Sequence, residues 1–393
     1  MVPKGWEVTT LGEHVTISSG YSPSKYVLAE SGSFPFVKVE DMNNCAKYQS
    51  ISRTYTETNG SPISKGAVIF PKRGAAIMNN KVRITDVEMY LDTNMMALTP
   101  KKSVFSEYLY YTLIKEELHK IADTSTIPQI NNKHILPYRF KLPPLPEQRK
   151  IAKILSTWDK AIATTEKLIA TSQQQKKALM QQLLTGKKRL VNPDTGKVFE
   201  GDWEEVKVNQ IANITMGSSP KSESYNEVGI GLPLLQGNAD IKARKSAPRI
   251  YTSQITKECN VNDILLSVRA PVGTVAKSLH NACIGRGIAS IQAKKNIVQE
   301  FVYQWLLAFE PKWERFSQGS TFEAVNSNDI KTLHISLPVF QEQQKIASVL
   351  TAADKEIEFL EAKLAHLKEE KKALMQQLLT GKRRVKVSET EAA

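Results

Sequence analysis

The chain has 393 residues, of which 53 are Lys or Arg and 40 are Asp or Glu, so its formal charge is +13 and its pI is near 9.4. Hydrophobic residues make up 41% and charged residues 24%, a balance that excludes wholesale disorder and supplies roughly two or three packed cores. The three cysteines lack a C-x-x-C pair, which argues against a disulfide framework and against a thiolate zinc site.

The hydropathy pattern and the net charge also predict the cellular location of the protein and the kind of partner it binds. The amino terminus lacks an apolar leader, and no run approaches the ~18 apolar residues that a membrane span needs, so we expect a cytoplasmic chain without a membrane partner. The excess of positive charge makes an anionic partner, above all nucleic acid, the first hypothesis. A basic surface without any partner is the alternative that charge alone leaves open.

Residues 1–141 predict a strand-rich globular block. Short β-branched runs such as Ala67-Val-Ile-Phe lie among Gly, Pro, Asn and Ser turns, and one helix is expected near residues 107–121. An exposed turn is predicted at Gly20-Tyr-Ser-Pro. The polar side chains that are candidates for DNA contact in this block are Ser22, Ser24, Lys25, Lys72, Arg73, Asn79, Asn80, Lys81 and Arg83.

Residues 142–189 predict one long helix. Three prolines, Pro143, Pro144 and Pro146, prevent it from extending backwards, and Gly186 suits the position just after its end. A helix of ~38 residues is ~57 Å long, too long to be buried in one small domain, so it needs a long partner. Its apolar residues recur at alternating spacings of four and three, which is typical of a coiled-coil seam. The predicted seam residues are Ile151, Leu155, Trp158, Ile162, Ile169, Leu179 and Leu183.

Residues 190–336 predict a second globular block, related to the first by faint echoes such as Trp203 for Trp6 and Gly217 for Gly20. Strands are expected in runs such as Ile264-Leu-Leu-Ser-Val, a helix near residues 300–316, and an exposed turn at Gly217-Ser-Ser-Pro. The candidate DNA contacts of this block are Ser219, Lys221, Ser222, Arg244, Lys245, Arg249, Arg269 and Arg286.

Residues 337–384 repeat the long helix, and residues 385–393 form a predicted flexible tail. KKALMQQLLTGKKR from Lys176 recurs as KKALMQQLLTGKRR from Lys371, an offset of 195 residues that also aligns the two helix starts. The chain is therefore a tandem repeat of α+β class, in which the natural partner of each long helix is the other copy. Two separate amphipathic helices, each on its own block, are the alternative. The second set of seam residues is Ile346, Leu350, Ile357, Leu360, Leu364, Leu367, Leu374 and Leu378.

The residue types in the two blocks favour DNA binding. Arginine and asparagine can read guanine and adenine edges with two hydrogen bonds, whereas lysine mainly contacts phosphate. For any one residue a solvated surface charge is the simpler explanation, so the hypothesis depends on the two sets occurring in paired blocks. A coiled-coil scaffold without DNA binding is a further alternative.

Catalytic motifs are scarce in this sequence. It contains no H-E-x-x-H, no G-x-x-x-x-G-K-[ST] and no [ND]-P-P-[FY] tetrapeptide, so a metalloprotease, a P-loop motor and an amino-methylating DNA methylase are not expected. One loose pattern, Pro193-Asp194 followed by Glu205-Val-Lys207, is similar to the signature of Mg²⁺-dependent nucleases. Because it spans a predicted exposed turn, nuclease activity through Asp194, Glu205 and Lys207 is only an alternative.

The chain resembles the DNA-specificity subunits of type I restriction-modification systems over nearly its whole length. The most specific shared element is the motif L-P-x-x-x-E-Q-x-K-I-A-x-x-L, which occurs at 142–155 and again at 337–350. Both helical segments also close in Leu-Leu-Thr-Gly-Lys. The Gly-Ser-Ser-Pro-Lys turn at 217–221 and the Trp-Glu starts of both blocks are similar to the beginnings of the target-recognition domains of that family. The first block departs from the pattern at Tyr21, where the family has a small residue.

The resemblance implies that each block is a target-recognition domain that reads one half of a split site on double-stranded DNA. It implies that the two helices pack antiparallel as a ruler, which makes the chain a pseudo-twofold monomer. Two modification subunits, which carry S-adenosylmethionine and the adenine-N6 methyl transfer, would dock largely on the helices. Restriction subunits that hydrolyse ATP with Mg²⁺ would join the complex. No catalytic residue, cofactor or metal is then expected on this chain.

Overall fold

The computed structural model describes residues 2–57, 60–317 and 324–387. The chain divides into two compact units: the first comprises residues 1–166 and 363–393, the second residues 167–362. Each unit therefore holds one globular block and a part of both long helical segments. The predicted tail at 385–393 lies outside the described residues from 388 onward, whereas Val385 packs against the core of the first unit.

The first unit contains strands β1–β10 and helices α1–α4, followed by the long helix α5. The strands are β1 Glu7–Thr10, β2 Val15–Ser19, β3 Phe34–Val37, β4 Tyr48–Gln49, β5 Tyr55–Thr56, β6 Val68–Pro71, β7 Arg83–Thr85, β8 Tyr90–Leu91, β9 Met95–Pro100 and β10 Arg139–Leu142. The helices are α1 Leu11–His14, α2 Ser106–Glu116, α3 Leu118–Ile121, α4 Asn132–Ile135 and α5 Leu145–Leu183. A five-stranded sheet has the order β2-β9-β6-β7-β4, a three-stranded sheet has the order β5-β3-β8, and β1 pairs with β10.

The second unit has the same arrangement of elements, but its two larger sheets contain more strands. Its strands are β11 Glu204–Lys207, β12 Ala212–Met216, β13 Tyr225–Asn226, β14 Leu232–Leu235, β15 Ile241–Lys242, β16 Lys245–Ser246, β17 Ile250–Thr252, β18 Glu258–Cys259, β19 Ile264–Ser267, β20 Val275–Lys277, β21 Ala282–Ile284, β22 Ile288–Ala293 and β23 His334–Leu337. The helices are α6 Val208–Ile211, α7 Gln299–Ser317, α8 Ser327–Lys331 and the long helix α9 Phe340–Leu378. The sheet orders are β12-β22-β19-β20-β16-β15 and β13-β17-β14-β21-β18, and β11 pairs with β23.

In each unit a strand from the predicted β-branched runs is buried on both faces. Along β6, Val68 and Phe70 belong to the large core that includes helix residues, while Ile69 belongs to a second core on the opposite face of the sheet. Along β19, Ile264 and Leu265 divide between two cores in the same way. Because successive side chains of a strand point to opposite faces, a continuous apolar run is what such a strand requires.

The two predicted helices of the globular blocks are present, but the first is broken. It is expected near residues 107–121, and the structure divides it into α2 and α3 at Glu117, whose φ is +60°. The Asn80 side chain holds this break by donating to the Ile114 carbonyl at 2.9 Å and accepting from the Leu118 amide at 2.9 Å. In the second block, α7 covers the predicted helical stretch without such a break.

The two long helices start and stop where prolines and glycines predict. Helix α5 begins directly after Pro144, and α9 begins shortly after Pro338. Just beyond the two helix ends, Gly186 and Gly381 adopt positive φ values of +68° and +72°, the left-handed backbone that glycine adopts readily.

Within each unit the segments of α5 and α9 run antiparallel. In the first unit, Lys371 pairs with Asp159 at 2.5 Å and Lys368 pairs with Glu166 at 2.8 Å, so the numbering falls along one helix as it rises along the other. In the second unit, Lys176 pairs with Asp354 at 2.5 Å. The offset of 195 residues converts Asp159–Lys371 into Asp354–Lys176, so both units repeat one ion pair. The α+β fold class and the antiparallel helix pairing are confirmed.

The predicted seam positions of both helices are buried or half-buried. At the helix ends, several of them belong to the cores of the globular blocks. In the first unit these are Ile151, Leu155, Leu374 and Leu378, and in the second unit they are Leu179, Leu183, Ile346 and Leu350. Each long helix therefore packs on a globular block at its ends and on the other helix in between, which combines the two arrangements that the sequence left open.

Each globular block is tied to its helices by a buried glutamate at the start of a long helix. In the second unit, Glu342 is fully buried and accepts hydrogen bonds from Nε of Arg189 at 2.6 Å and from the indole of Trp203 at 3.2 Å. In the first unit, Glu147 accepts from Nε of Arg384 at 2.9 Å and from the Trp6 indole at 3.0 Å. We call each such triad a clasp. It joins a block start, one helix start and the end of the other helical segment.

Candidate nucleic-acid interface

In the second unit, the turn at 217–222 lies against the strand end at 284–288. Gly217 donates to the Ile288 carbonyl at 2.9 Å, and Ser218 donates to the Ile284 carbonyl at 2.9 Å. The Ser219 hydroxyl accepts from the amide of Arg286 at 3.1 Å. The turn is therefore fixed beside the short loop 285–287, which connects β21 to β22.

Two further loops of the second unit join this pair. The loop 236–240 after β14 is bound through Gly287, which donates to the Gln236 carbonyl at 3.0 Å, and the loop 268–273 after β19 is bound through Val268, which donates to the Gly287 carbonyl at 2.9 Å. An open depression of about 460 Å³ lies between loop 236–240, Arg249 and Pro271. Four loops from different strands thus converge at one edge of the unit.

The converging loops of the second unit present basic side chains to solvent. Lys221, Arg269 and Arg286 are exposed, and among the described residues no hydrogen bond or ion pair holds their charged groups. Ser222 is exposed next to them. Arg249 is also exposed, but its Nε donates to the buried Asp240 at 2.9 Å, which fixes its direction. The edge therefore combines free guanidinium groups with one that is held in place.

The first unit has the same kind of edge. Gly20 donates to the Met95 carbonyl at 3.2 Å and Tyr21 to the Leu91 carbonyl at 2.9 Å, which fixes the turn 20–25 beside the loop 92–94. Lys72 donates through its amide to the Asn94 carbonyl at 2.7 Å and so brings the segment 72–74 to the same place.

The side chains on this edge differ from those of the second unit. Arg73 is exposed, and no hydrogen bond or ion pair holds its guanidinium in the described part of the chain. Lys72 is half-buried; burial lowers the pKa of its amine, and the nearby Asp92 opposes that shift. Lys25 lies over the exposed Tyr21 ring, 4.4 Å from its centre. The hydroxyls of Ser22 and Ser24 are 2.8 Å apart, within hydrogen-bonding distance of each other.

Two predicted DNA contacts of the first block have structural roles instead. The guanidinium of Arg83 donates to the carbonyls of Cys45, Val82 and Met42 at 2.8–2.9 Å, so all of its nitrogens are engaged within the block. Asn80 is engaged at the break between α2 and α3, as described above. We therefore remove Arg83 and Asn80 from the candidate interface.

The remaining candidates of the first block, Asn79 and Lys81, are neither part of the converging loops nor fully engaged within the block as Arg83 is. Lys81 donates to the side-chain oxygen of Asn43 at 2.7 Å, while Asn79 is exposed. Both lie between the strand end of β6 and the start of β7, beyond the segment 72–74. The backbone bonds that gather the converging loops do not include them, and they remain predictions.

In the second block, Arg244 and Lys245 face the helices. Arg244 pairs with Glu310 of α7 and donates to the Val275 carbonyl at 3.2 Å. Lys245 pairs with Glu358 of α9 at 3.1 Å. Both contacts direct these cations away from the loops that converge around Arg269 and Arg286, so we remove them from the candidate interface.

Sequence reasoning missed some polar residues on these edges. Thr93 and Asn94 are exposed in the short loop of the first unit, and Gln236 and Asn238 are half-buried in the loop after β14 of the second. Nothing in their spacing singles them out, because these loops have different sequences in the two blocks. Gly287 differs from these residues, because the packing around it explains its residue type. A Cβ at Gly287 would lie 2.3 Å from the Gln236 carbonyl oxygen, so close packing explains that glycine.

The residues of the loose nuclease pattern do not form a recognisable site. Asp194 lies in an exposed turn, where its amide donates to the side chain of Asn192 at 2.9 Å. Glu205 and Lys207 are exposed on β11. In the described ranges, no group of three or more His, Cys, Asp or Glu side chains is arranged to hold a metal ion. No observation favours the nuclease alternative.

Comparison with known proteins identifies the family. The family model for the type I restriction-modification DNA specificity domain matches residues 3–172 and again residues 200–369. The chain therefore belongs to the family of DNA-specificity subunits of type I restriction-modification systems, and it contains two copies of the family's domain. The resemblance predicted from the repeated helix motifs is confirmed.

Individual relatives agree with this assignment. The chain is 32% identical to the MjaX specificity subunit of Methanocaldococcus jannaschii, across 98% of this chain and 95% of the relative. It is 25% identical to the MjaVIII specificity subunit of the same organism, across 98% and 94%. In fold it is similar to the S subunit of a type I system from M. genitalium, with a TM-score of 0.64, 15% identity and 96% of both chains covered. The fold is also similar to that of the HsdS subunit of Thermoanaerobacter tengcongensis, with a TM-score of 0.50 and 24% identity, covering 97% of this chain and 98% of that one.

The structure also bears on membrane association. In the ranges that the structure describes, no helix combines the length and the apolar character that a membrane crossing requires.

Proposed function

We propose that each globular block binds one half of a bipartite site on double-stranded DNA, and that the paired helices set the spacer between the halves. The observation that carries this proposal is the edge of converging loops in each unit, where Arg73 or Arg269 is exposed and its guanidinium has no partner among the residues that the structure describes. Arginine contacts both guanine edges and phosphates in protein–DNA complexes. The chain itself contributes recognition and no catalysis.

Replacing the first globular block tests this proposal. A chimaera in which residues 1–141 come from another specificity subunit, co-expressed with the modification partner, is expected to change one half of the methylated motif and to leave the other half unchanged. Sequencing of methylated adenines across the host genome measures this. A reciprocal exchange of residues 190–336 should change only the other half. Changes in both halves of the motif after either exchange would contradict the proposal.

We further propose that two modification subunits dock on the last turns of α5 and α9. They would carry S-adenosylmethionine and the adenine-N6 methyl transfer, and restriction subunits with ATP and Mg²⁺ would join through the complex. The support lies in the exposed positions of the repeat. Near the helix ends, the exposed residues Lys177, Gln181 and Gln182 recur as the exposed Lys372, Gln376 and Gln377.

Exposed positions in the middle of the same helices have diverged. Ala163, Thr164 and Lys167 correspond to Glu358, Phe359 and Ala362, and all six are exposed, so exposure alone does not preserve identity. The identity of the exposed residues near the ends of α5 and α9 is explained if the same partner binds both copies of the helix. Gln181 lines an open groove of about 700 Å³ beside α7, and Gln376 lines one of about 770 Å³ beside α2 and α3.

A pair of arginine substitutions tests the docking surface. The double variant Gln181→Arg, Gln376→Arg is expected to lose most of its binding to the modification subunit, because the added bulk and charge block the groove on each copy. The matched control, Thr164→Arg with Phe359→Arg, changes two exposed positions in the diverged middle of the helices that line neither groove, and it should bind like the original chain. Co-purification and light scattering measure the stoichiometry. Equal binding by both variants would place the docking surface elsewhere.

A further inference from the structure

The two units repeat one network of backbone hydrogen bonds around their converging loops, and this network pairs individual positions of the two blocks. Sequence offsets drift between the blocks, so the bonds define the equivalence better than the numbering does. The bond from Asp92 N to Val37 O (3.0 Å) in the first unit matches the bond from Gly285 N to Leu235 O (2.8 Å) in the second. In the same way, Lys72 N to Asn94 O (2.7 Å) matches Val268 N to Gly287 O (2.9 Å). Finally, Ile130 N to Lys72 O (2.8 Å) matches Val325 N to Val268 O (2.8 Å).

One equivalent position carries the same side chain in both blocks. Arg73 directly follows Lys72, and Arg269 directly follows Val268, so the two arginines occupy the same place in the network. Each also forms a β-bridge to the loop beside it. Both are exposed, and their guanidinium groups have no hydrogen bond or ion pair within the described residues. An arginine kept at the same place in two otherwise divergent surfaces fits a feature that both half-sites share, which is the phosphate backbone.

A second equivalent position carries different side chains. Thr93 follows Asp92 in the first unit, and Arg286 follows Gly285 in the second. Both are exposed at the centre of the short loop between equivalent strands, next to the turn that starts at Gly20 or Gly217. The guanidinium of Arg286 can donate two hydrogen bonds to O6 and N7 of guanine, whereas the hydroxyl of Thr93 cannot form such a pair.

We propose that Arg73 and Arg269 are phosphate anchors, one for each half-site, and that the position of Thr93 and Arg286 distinguishes the half-sites, with Arg286 reading a guanine in the major groove. This inference rests on the proposed function, since it assigns roles within the half-site contacts.

The test compares methylation motifs and salt dependence for complexes reconstituted with the modification subunit. Arg286→Thr and Arg286→Lys are expected to lose about 5- to 150-fold preference for one guanine in one half-site, because neither side chain offers the two-pronged donor. The other half-site should be unchanged. Arg73→Ala and Arg269→Ala are expected to keep the motif, to bind duplex more weakly, and to reduce the slope of log K against log salt by about one.

The outcomes separate the two proposals. If the original complex methylates no bipartite motif, the proposed function fails, and this inference fails with it. If the original complex has such a motif but Arg286→Thr and Arg286→Lys leave every position unchanged, only the reading role of Arg286 is overturned. A changed base preference in Arg73→Ala or Arg269→Ala would overturn the anchor role. Thermal unfolding matched to that of the original chain confirms that each variant is folded.

Discussion

Glu342→Ala is expected to lower the free energy of unfolding of the second unit by about 3–5 kcal/mol. The carboxylate is fully buried and accepts hydrogen bonds from Nε and Nη2 of Arg189 at 2.6 and 2.8 Å, as well as the Trp203 indole. Its removal leaves a largely buried guanidinium and an indole N–H without their acceptor. The hydrogen bonds that Arg189 donates to Glu342 raise the pKa of the guanidinium above its usual value. Because a guanidinium stays protonated even without such a partner, the arginine cannot escape the loss by deprotonation.

Glu358→Ala is the matched control on the same helix. Its ion pair with Lys245 is 3.1 Å long, but the two side chains are 58% and 47% exposed, so its loss is expected to cost only about 0–1 kcal/mol. Urea unfolding together with hydrogen exchange of residues 167–362 measures both variants. A cost for Glu342→Ala as small as that of the control would show that the clasp does not stabilise the unit.

Gly217→Ala is expected to abolish recognition of one half-site while leaving the other half-site intact. A Cβ at this position would lie 2.2 Å from the carbonyl oxygen of Gly285 and 2.7 Å from that of Ile288, far inside van der Waals contact. Since both atoms are backbone, the turn must move away from the loop that carries Arg286. Such overpacking costs about 1–3 kcal/mol, and here it also displaces the reading edge.

Gly237→Ala is the control for this prediction. It lies in an adjacent loop of the same edge, has an extended φ of −178°, and leaves open space where a Cβ would point. Its stability should change by no more than about 0.5 kcal/mol. Methylation motifs and thermal unfolding distinguish the two variants. If Gly217→Ala retains both half-sites and the original stability, the close approach of this turn has no functional role.

The architecture could be predicted from sequence because its signals are periodic and duplicated. Nearly identical segments starting at Lys176 and Lys371 fix the repeat, and spacings of four and three fix the long helices. The break at Glu117 could not be predicted in the same way, because the Asn80 side chain that supports it comes from a remote part of the chain. Local preference favours a helix there, and a long-range contact decides where it ends.

The candidate interface was predictable only in part, for a related reason. Gly20 and Gly217 echo each other because both backbones approach a strand end too closely for a Cβ, so the constraint is visible in the residue type. A free arginine and a structural one look the same in a sequence. Arg83 is held by carbonyls that include those of Cys45 and Met42, some forty residues away, and only the folded chain separates it from Arg73.

The clasp of the first unit has a consequence for the order in which the protein is made. The second unit is one continuous stretch, residues 167–362, but the first unit needs residues from 363 onward, including Arg384, which binds Glu147. A ribosome that adds roughly 5–20 residues per second takes about 10–40 s to translate the intervening stretch. During this time the first block has been synthesised, but its part of α5 has no partner helix and Glu147 has no arginine partner. The second block can complete its own clasp as soon as Glu342 has been synthesised, because Arg189 and Trp203 precede Glu342 in the chain.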